Sequence, residues 1–482
     1  MSIPPPLTIR NLTSTPTELR LVERYAPPPQ SDNGASFLNI TRSLSSLLKT
    51  SSSELAAISE SFNAKDVSIT VGQFETKTTD IQVNAQEILR LTFENNGQRY
   101  RLDTPPQSSK STVLTPLSPN PQAEYTAVYL PAHSHIAIFS SANLASWMAQ
   151  LKDELPLSVL SIPGTHNSPT HYTALPSVRC QAVSVLKQLE NGVRFLDIRV
   201  QPEYPEDPSK AGLLLVHSAF PISLTGNKYF AKLVDDIRSF LDANPSETVI
   251  MSLKREGIGR STDQQLSRIL RDHYMTDANF WFTENRIPTL GEARKKIIVI
   301  RRFVLDDALK GENDGAGWCI DAESWPDNCA DGTCSSGEIR VQDFYEVEET
   351  INIDQKITFS EAQLGRAAAC VAALPEGPNA ASAAAARQPF FFNFLSAANF
   401  FRPGCWPDRI AARVNPHIVD FLCRKHNEPS ATGGPAEHMG IGDGSTGIVV
   451  CDWVGNRGDW DLVRCIVGMN AKLEMREKRT QP

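Results

Sequence analysis

The second part of the sequence is a series of short, almost purely apolar runs separated by longer amphipathic stretches. Such runs are typical of parallel strands that are buried on both faces, and their alternation with helical stretches predicts a (β/α) barrel. The amphipathic segments 229–243 and 355–373 fit helices, whereas the Pro-rich link 199–213 does not, so we expect the barrel to be irregular. The predicted strands are 158–162, 194–199, 213–217, 248–254, 296–302, 339–343, 390–394 and 447–452.

The first 145 residues carry a different pattern. Period-two alternation of apolar and polar residues predicts short strands, and Asn96-Gly97 predicts a tight hairpin turn between two of them. Strands with intervening turns favour a β-sandwich. We therefore predict an α/β fold class, with a β-rich, sandwich-like domain over 1–145 and an irregular TIM (β/α)8 barrel over 146–482. The strands predicted in the first domain are 7–11, 19–25, 88–93, 98–102, 125–130 and 135–139.

Charge and hydropathy exclude several classes of protein. The formal net charge is -8, which argues against a nucleic-acid partner because nucleic-acid binders carry a basic surplus. The N-terminus has no basic region followed by an apolar one, so no signal peptide is expected. No apolar run is long enough to span a bilayer. We expect a protein that is cytoplasmic or peripheral to a membrane.

The cysteines indicate free thiols. There are nine, an odd number spread along the chain, which is not the pattern of a disulfide framework. Cys319, Cys329 and Cys334 lie close together in an acidic, loop-like insertion over 306–337. They include no Cys-x-x-Cys pair and no nearby histidine, so a zinc site there is the less favoured interpretation.

Polar residues follow the predicted barrel strands. The carboxyl ends of barrel strands meet at one rim, where the active sites of this fold lie. Taken singly, each such residue has a structural alternative, a buried salt bridge or a satisfied histidine. Together they are costly to bury at one rim unless they are paired or used. They are His166, Asn167, Asp197, Arg199, His217, Lys254, Glu256, Arg302, Asp343, Tyr345 and Asp452.

Two histidines, an arginine and carboxylates suit phosphoryl chemistry. A neutral histidine can take a proton from an attacking hydroxyl, and a protonated one can give a proton to the leaving oxygen. An arginine can bind the phosphate oxygens and stabilise the charge of the transition state. An attacking hydroxyl within the substrate itself would gain the advantage of proximity, and the first product would then be a cyclic phosphodiester.

Several motifs resemble one family in the correct order. Ser161-Ile-Pro-Gly-Thr-His-Asn-Ser168, the segment 194–199, Val216-His217 and the segment 244–254 resemble the X-domain core of bacterial-type phosphatidylinositol-specific phospholipase C, in the PLC-like phosphodiesterase superfamily. The resemblance continues through 296–302, 341–345 and 450–452, and the overall pattern is most like fungal members. It implies an irregular TIM barrel and cleavage of phosphatidylinositol at a membrane surface to diacylglycerol and inositol 1,2-cyclic phosphate, with no cofactor.

The resemblance also implies a role for each residue. His166 resembles the general base that deprotonates the inositol 2-hydroxyl, and Asp452 the carboxylate that orients it. His217 resembles the general acid, Arg199 the phosphate-stabilising arginine, and Asp197 a carboxylate that supports this arginine. The implied inositol contacts are Lys254, Arg302 and Asp343, with Tyr345 as the aromatic platform under the ring.

The sequence departs from the bacterial pattern at two positions. Asn167 replaces an aspartate that is the partner of the general acid, and Ser218 replaces a glycine, which we expect to narrow the pocket beside His217. Asparagine at position 167 is also similar to the calcium-dependent eukaryotic phospholipases C, but those enzymes have an acidic residue where this chain has Arg199. A guanidinium there excludes Ca²⁺ by charge and removes an oxygen ligand, so we expect metal independence.

Other functions stay open on the sequence. The same scaffold could cleave a glycosylated inositol lipid or a glycerophosphodiester, or the protein could be a catalytically weak lipid-binding protein with Asn167 as a sign of decay. Phe400, Phe401 and Trp406 follow the seventh predicted strand. They are candidates for membrane contact or, alternatively, for an aromatic core beneath a loop.

Overall fold

The computed structural model describes residues 5–25, 61–84, 87–104, 111–207, 209–371, 388–428 and 442–473. The described residues up to Ser141 form one compact unit, and those from Ala142 onward form another.

The first unit consists of two five-stranded sheets. One has the order β4-β1-β10-β9-β7 and the other β3-β2-β5-β6-β8. Alternate apolar side chains of both sheets, such as Leu7 and Phe93, belong to one buried core. The β-rich, sandwich-like prediction is thereby confirmed. The strands are β1 (Pro6–Asn11), β2 (Thr17–Tyr25), β3 (Asn63–Val71), β4 (Thr76–Gln82), β5 (Ile88–Asn95), β6 (Gln98–Thr104), β7 (Ser111–Val113), β8 (Thr115–Pro116), β9 (Tyr125–Leu130) and β10 (His135–Ser140).

The predicted hairpin is present. Asn96 and Gly97 join β5 to β6 with φ values of 49° and 73°. Two consecutive left-handed residues are what a two-residue turn needs to match the twist of its strands.

The second unit is built on one long curved sheet. The strands β16-β17-β15-β12-β11-β22-β21-β20 are neighbours in that order and run parallel. The sheet strands are β11 (Ile162–Thr165), β12 (Phe195–Pro202), β13 (Leu213–His217), β14 (Phe220–Pro221), β15 (Val249–Arg255), β16 (Trp281–Phe282), β17 (Ile297–Arg302), β18 (Ile320–Asp321), β19 (Gly332–Thr333), β20 (Ile339–Gln342), β21 (Phe390–Phe394) and β22 (Ile448–Cys451).

Helices connect several of these strands, as an α/β barrel requires. The two predicted helices are found close to their expected bounds. The helices are α1 (Val185–Glu190), α2 (Phe230–Ala243), α3 (Asp263–Ile269), α4 (Leu290–Ala293), α5 (Asn352–Ala368), α6 (Pro407–Arg424) and α7 (Asp461–Gly468).

The irregular barrel is confirmed, but three details of the prediction were wrong. The run 213–217 forms β13, which is antiparallel to β12 and is not a barrel strand. The sequence pattern missed two parallel strands, β16 and β18, which are each only two residues long and both pair with β17. The first predicted strand, 158–162, begins instead at Ile162, after a 3-10 turn at Leu157–Val159.

The curved sheet is also not closed by hydrogen bonds among the described residues. β18 pairs only with β17, and β20 pairs with β19 and β21.

The close approach of β11 and β12 explains why position 164 is a glycine. A Cβ on Gly164 of β11 would lie 2.7 Å from Cδ1 of Phe195 on β12, closer than real Cβ contacts allow. The absent side chain therefore lets β11 lie against β12, and the residues that follow β11 reach the rim of the sheet at a defined place.

A buried ion pair joins the start of β12 to the residues before β15. Arg194 and Glu247 are both fully buried, and Nη2 of Arg194 lies 2.8 Å from Oε2 of Glu247. The remaining guanidinium donors bond to backbone carbonyls of Leu189, Val193, Leu144 and Ala145. This network satisfies a charge that would otherwise be very costly to bury.

Replacing Arg194 with methionine should destabilise the second unit by about 3–5 kcal/mol, because Glu247 is left as an unpaired buried charge. All seven tryptophans lie in the second unit, so tryptophan fluorescence in urea measures its unfolding free energy. The matched control is Lys187→Met, which breaks an exposed pair with Glu190 and should change that free energy by no more than about 0.5 kcal/mol. Equal effects of the two variants would contradict the role of the buried pair.

Candidate active site

His166 and Asp452 emerge side by side because their strands are in register. Thr165 of β11 pairs with Cys451 of β22, and each is followed by a site residue. Nδ1 of His166 donates to Oδ1 of Asp452 over 3.0 Å, and Asp452 is almost completely buried. Burial lowers the pKa of His166, but the Asp452 carboxylate and the Cys180 sulfur raise it more, so that it lies well above the usual histidine value.

A glutamine that the sequence analysis missed ties these two strand ends together. Nε2 of the buried Gln181 donates to the backbone carbonyls of His166 and Cys451 at 2.7 and 2.9 Å. It also lies 3.5 Å from Oδ1 of Asp452. Gln181 is in an irregular segment between β11 and α1, where no periodicity marks a residue as buried.

Asn167 contacts the first histidine and not the second. Its Nδ2 lies 2.9 Å from Nε2 of His166, and its backbone N–H donates to Oδ2 of Asp197 over 3.2 Å. The backbone is left-handed at this residue, with φ of 41°, a conformation that asparagine tolerates better than most residues. Asn167 therefore does not take over the place of the aspartate that partners the general acid in the bacterial pattern.

His217, at the end of β13, faces His166 edge to face with ring centroids 5.9 Å apart. Its Nδ1 donates to the carbonyl of Val178 over 2.8 Å. Burial lowers the pKa of His217, but interaction with Cys180 raises it above the usual value. Cys180 is buried, and its Sγ lies 3.9 Å from Nδ1 of His217.

Ser218 has a left-handed backbone, with φ of 52°. This conformation is the one glycine adopts most easily, and it explains why glycine suits the position in the bacterial pattern. The N–H of Ser218 donates to Oε2 of Glu256 over 2.7 Å.

Arg199 lies between two carboxylates. Its Nη2 lies 3.0 Å from Oδ2 of the fully buried Asp197, and its Nη1 donates to Oε1 of Glu256. Burial raises the pKa of Asp197, but Arg199, His166 and Arg302 lower it far below the usual aspartate range. Burial likewise raises the pKa of Glu256, yet Arg199 and Lys254 bring it to about 2. The resemblance assigned no role to Glu256, although its place at a strand end had marked it.

The strand register sets three basic residues in a row. Arg199 pairs with Lys254, and Lys254 pairs with Arg302, across β12, β15 and β17. Nζ of the half-exposed Lys254 lies 3.2 Å from Oε1 of Glu256. The side chain of Arg302 is almost completely buried, and its Nη1 lies 3.8 Å from Oδ1 of Asp197.

Trp325, from the insertion before β20, contacts Arg302 and Asp343 and was missed by the sequence analysis. Its ring lies 3.9 Å from the guanidinium carbon of Arg302, and its Nε1 donates to Oδ2 of Asp343 over 3.0 Å. Nearby, the hydroxyl of Tyr345 donates to Oδ1 of Asp327 over 3.0 Å. The structure thus brings all the predicted site residues to one end of the curved sheet.

The cysteines of the insertion are free thiols. Within the part of the chain that the structure describes, Cys319, Cys329 and Cys334 belong to no cluster of three potential metal ligands.

Apolar side chains are exposed on loops after the strands. Phe400 and Phe401 are 42% and 86% exposed, which favours a surface role over an aromatic core. The ring of Phe220 stacks on that of Phe400 with centroids 5.3 Å apart. Leu224 and Ile258, on neighbouring loops, are also exposed.

Trp406 differs from the two phenylalanines. It is partly buried, and its Nε1 donates to the carbonyl of Phe400 over 3.3 Å. It therefore supports the loop that carries Phe400 and Phe401.

In the described part of the chain, none of the helices combines the length and the apolar character that a bilayer crossing needs.

A lysine is fully buried beneath the site. Nζ of Lys356, on α5, donates to Oε1 of Gln342 and to the carbonyl of Phe344 at 3.0 and 2.7 Å. Burial lowers the pKa of Lys356 to about 7, although Asp343, Asp452 and Cys329 act to raise it.

Comparisons with known proteins point to one family. Residues 154–303 match the model of the family "Phosphatidylinositol-specific phospholipase C, X domain". The 1-phosphatidylinositol phosphodiesterase of Listeria monocytogenes is 35% identical over 173 residues, which cover 34% of this chain and 50% of the relative. That of Staphylococcus aureus (strain Newman) is 28% identical over 231 residues, covering 45% of this chain and 69% of the relative. The chain thus matches half the length of the Listeria protein.

Solved structures share the fold. Two structures of the phosphatidylinositol-specific phospholipase C of S. aureus superpose with a TM-score of 0.51, at 23% and 22% sequence identity. Each match covers 68% of this chain and 97% of the other. At this identity the likeness shows the barrel architecture.

Lys356 gives a test by pH. Between its folded pKa of about 7 and the ordinary lysine value of about 10.4, the unfolded chain binds a proton that the folded chain does not. The unfolding free energy of the protein, minus that of Lys356→Met, should therefore rise as the pH increases through this window. Urea unfolding followed by tryptophan fluorescence at several pH values measures it. A difference that stays constant would contradict the lowered pKa.

Proposed function

We propose that this protein, whose residues 154–303 match the X domain of phosphatidylinositol-specific phospholipase C, cleaves phosphatidylinositol to diacylglycerol and inositol 1,2-cyclic phosphate by acid-base catalysis without a metal. The observation that carries the proposal is the pair of facing histidines, 5.9 Å apart at their centroids, each with Nδ1 held by a fixed acceptor. Such a pair leaves Nε2 of both rings for proton transfer.

His166 acts as the general base. Asp452 holds its Nδ1–H, and the amide of Asn167 donates to Nε2. An amide donor needs a lone pair on Nε2, which is the tautomer that a general base requires. The inositol 2-hydroxyl takes the place of the amide, gives its proton to Nε2, and its oxygen attacks phosphorus.

His217 acts as the general acid. Its Nδ1 is held by the carbonyl of Val178, so the proton on Nε2 passes to the glycerol oxygen as the phosphorus–oxygen bond breaks. The products are then diacylglycerol with a free hydroxyl and the five-membered cyclic phosphate. Attack from within the substrate supplies the proximity advantage.

Arg199 binds the phosphate and stabilises the charge of the transition state. Asp197 and Glu256 hold its guanidinium on two sides and so fix its direction. Lys254, Arg302 and Asp343 bind head-group hydroxyls, with Tyr345 beneath the ring. A guanidinium at this position opposes Ca²⁺, which prefers oxygen ligands.

The position of Trp325 favours an alternative substrate for the same scaffold. Trp325 covers Arg302 and occupies an oxygen of Asp343, two of the proposed head-group contacts. A different phosphodiester, such as a glycosylated inositol lipid or a glycerophosphodiester, is therefore the second candidate.

The exposed apolar side chains on the strand-end loops support contact with a lipid surface. Ile258 follows β15, whose end carries Lys254 and Glu256. Phe400 stacks on Phe220, which pairs with His217 across β13 and β14, and the exposed Phe401 and Leu224 lie close to these two in the chain. These placements support a rim on the same side as the catalytic residues. Apolar rims of this kind gain free energy by entering a bilayer surface.

Vesicles of phosphatidylinositol in excess EDTA should yield inositol 1,2-cyclic phosphate, detected by phosphorus NMR. His166→Ala should lower the rate by about 10²–10⁴-fold, since that is the usual contribution of a general base. The matched control is His417→Ala, an exposed histidine on α6, which should leave the rate unchanged.

Three outcomes would contradict the proposal in different ways. Product that forms only after Ca²⁺ is added would overturn metal independence. Cleavage restricted to glycerophosphoinositol or glycosylated inositol lipid would favour the second candidate. Vesicle co-sedimentation without turnover would indicate a lipid-binding protein that is not an enzyme.

Phe401→Ser should weaken binding to phosphatidylinositol vesicles by about tenfold or more, because an entering phenylalanine gains about 1.5–3 kcal/mol. Hydrolysis of a monomeric short-chain substrate should be unaffected. The control is Val371→Ser, which removes another exposed apolar side chain after α5, away from the strand-end loops. Co-sedimentation measures the affinity, and equal losses in both variants would contradict a role for this rim.

A further inference from the structure

One buried cysteine in the site transfers no proton in the proposed reaction. Cys180 is fully buried. Its Sγ, one ring nitrogen of His166 and one ring nitrogen of His217 all lie within 4.8 Å of one another. In the described part of the chain, this is the one group of three such residues.

The surroundings of both histidines resemble those of metal ligands. A histidine that binds a metal through one ring nitrogen generally donates its other N–H to a carboxylate or a backbone carbonyl. Asp452 accepts from Nδ1 of His166, and the carbonyl of Val178 accepts from Nδ1 of His217. Both rings are thus held with Nε2 available.

Asn167 supplies a second observation. It is fully buried, and its Oδ1 finds no hydrogen-bond partner among the described residues, while its Nδ2 contacts Nε2 of His166. Rotation of the amide would bring this oxygen to the place that the nitrogen now takes. The oxygen would then lie beside Nε2 of His166, where it can serve as a fourth donor.

The donor set identifies the kind of ion. One sulfur and two imidazole nitrogens suit Zn²⁺ and similar soft transition metals, whereas Ca²⁺ and Mg²⁺ need a shell of oxygens. The positive charge of Arg199 is offset by Asp197 and Glu256, and Asp452 adds a buried carboxylate next to His166.

We propose that His166, Cys180 and His217 form an inhibitory site for a soft transition metal ion of the Zn²⁺ type. Binding releases the thiol proton and forms bonds from the metal to sulfur and to the two ring nitrogens. The ion takes the nitrogens that transfer protons in the proposed reaction, so turnover stops while it is bound. The inhibitory role rests on the proposed function, but the metal site itself does not.

Binding is tested first without lipid, on the full chain with Zn²⁺ or Co²⁺ alone. Equilibrium dialysis should find one Zn²⁺ per chain, and Co²⁺ should show the thiolate charge-transfer band of a cysteine ligand. Cys180→Ser and Cys180→Ala should abolish the band and weaken Zn²⁺ binding by more than the roughly 10–100-fold that loss of an outer partner costs. The matched control is Cys370→Ser, a partly buried thiol after α5, which should keep both. Urea unfolding of each variant verifies that it is folded.

Activity is tested second. Zn²⁺ should inhibit cleavage of phosphatidylinositol by the unmodified protein, and EDTA should restore it. A band that persists in folded Cys180→Ala, or no binding by the unmodified protein, overturns the metal site. Binding that leaves turnover unchanged or raises it overturns the inhibitory role. Absence of turnover under all conditions contradicts the proposed function alone, because the cobalt band and the Zn²⁺ stoichiometry are measured without substrate.

Discussion

A single buried carboxylate organises the site. Asp197 lies on β12 with no exposed surface, so its charge must be compensated within the protein. Its Oδ2 accepts from Arg199 and from the backbone of Asn167, and Nη1 of Arg302 lies near its Oδ1. The direction of Arg199 and the turn that follows His166 therefore depend on the same anion.

Charge balance around that carboxylate shapes recognition. The cations Arg199, Lys254 and Arg302 stand in register on adjacent strands, and the carboxylates Asp197 and Glu256 lie among them. The pocket therefore does not attract every anion through positive charge alone. The proposed phosphodiester substrate would have to match fixed donor directions, and directional hydrogen bonds to charged groups discriminate better than net charge does.

Strand periodicity predicted much of this site because residues at the ends of parallel strands share one rim. His166, Arg199, Lys254, Arg302 and Asp452 were found in this way. The residues that were missed, Gln181, Cys180 and Trp325, lie in irregular segments, where no repeat marks a side chain as buried or inward. Their places follow from tertiary contacts that a sequence pattern does not encode.

The orientation of β13 was misread for a related reason. A parallel neighbour needs a crossover of a dozen or more residues, usually a helix, whereas an antiparallel neighbour needs only a short turn. The Pro-rich link 203–212 is too short and irregular for such a crossover, and the antiparallel pairing follows. The sequence did contain this information in the length of the link, but the apolar character of the strand outweighed it in the prediction.

Asparagine at position 167 changes which groups contact the two histidines of the proposed mechanism. Its amide donates to Nε2 of His166 and so opposes the protonation that Asp452 favours by raising the pKa of this histidine, while His217 is left with a backbone carbonyl as the acceptor for Nδ1. A carbonyl fixes the ring and its tautomer but adds no negative charge to stabilise an imidazolium. The nearest support for the protonated acid is then Cys180, whose interaction raises the pKa of His217 against its burial. The same thiol that completes a metal-binding donor set therefore also replaces part of the electrostatic support that a carboxylate at position 167 would supply.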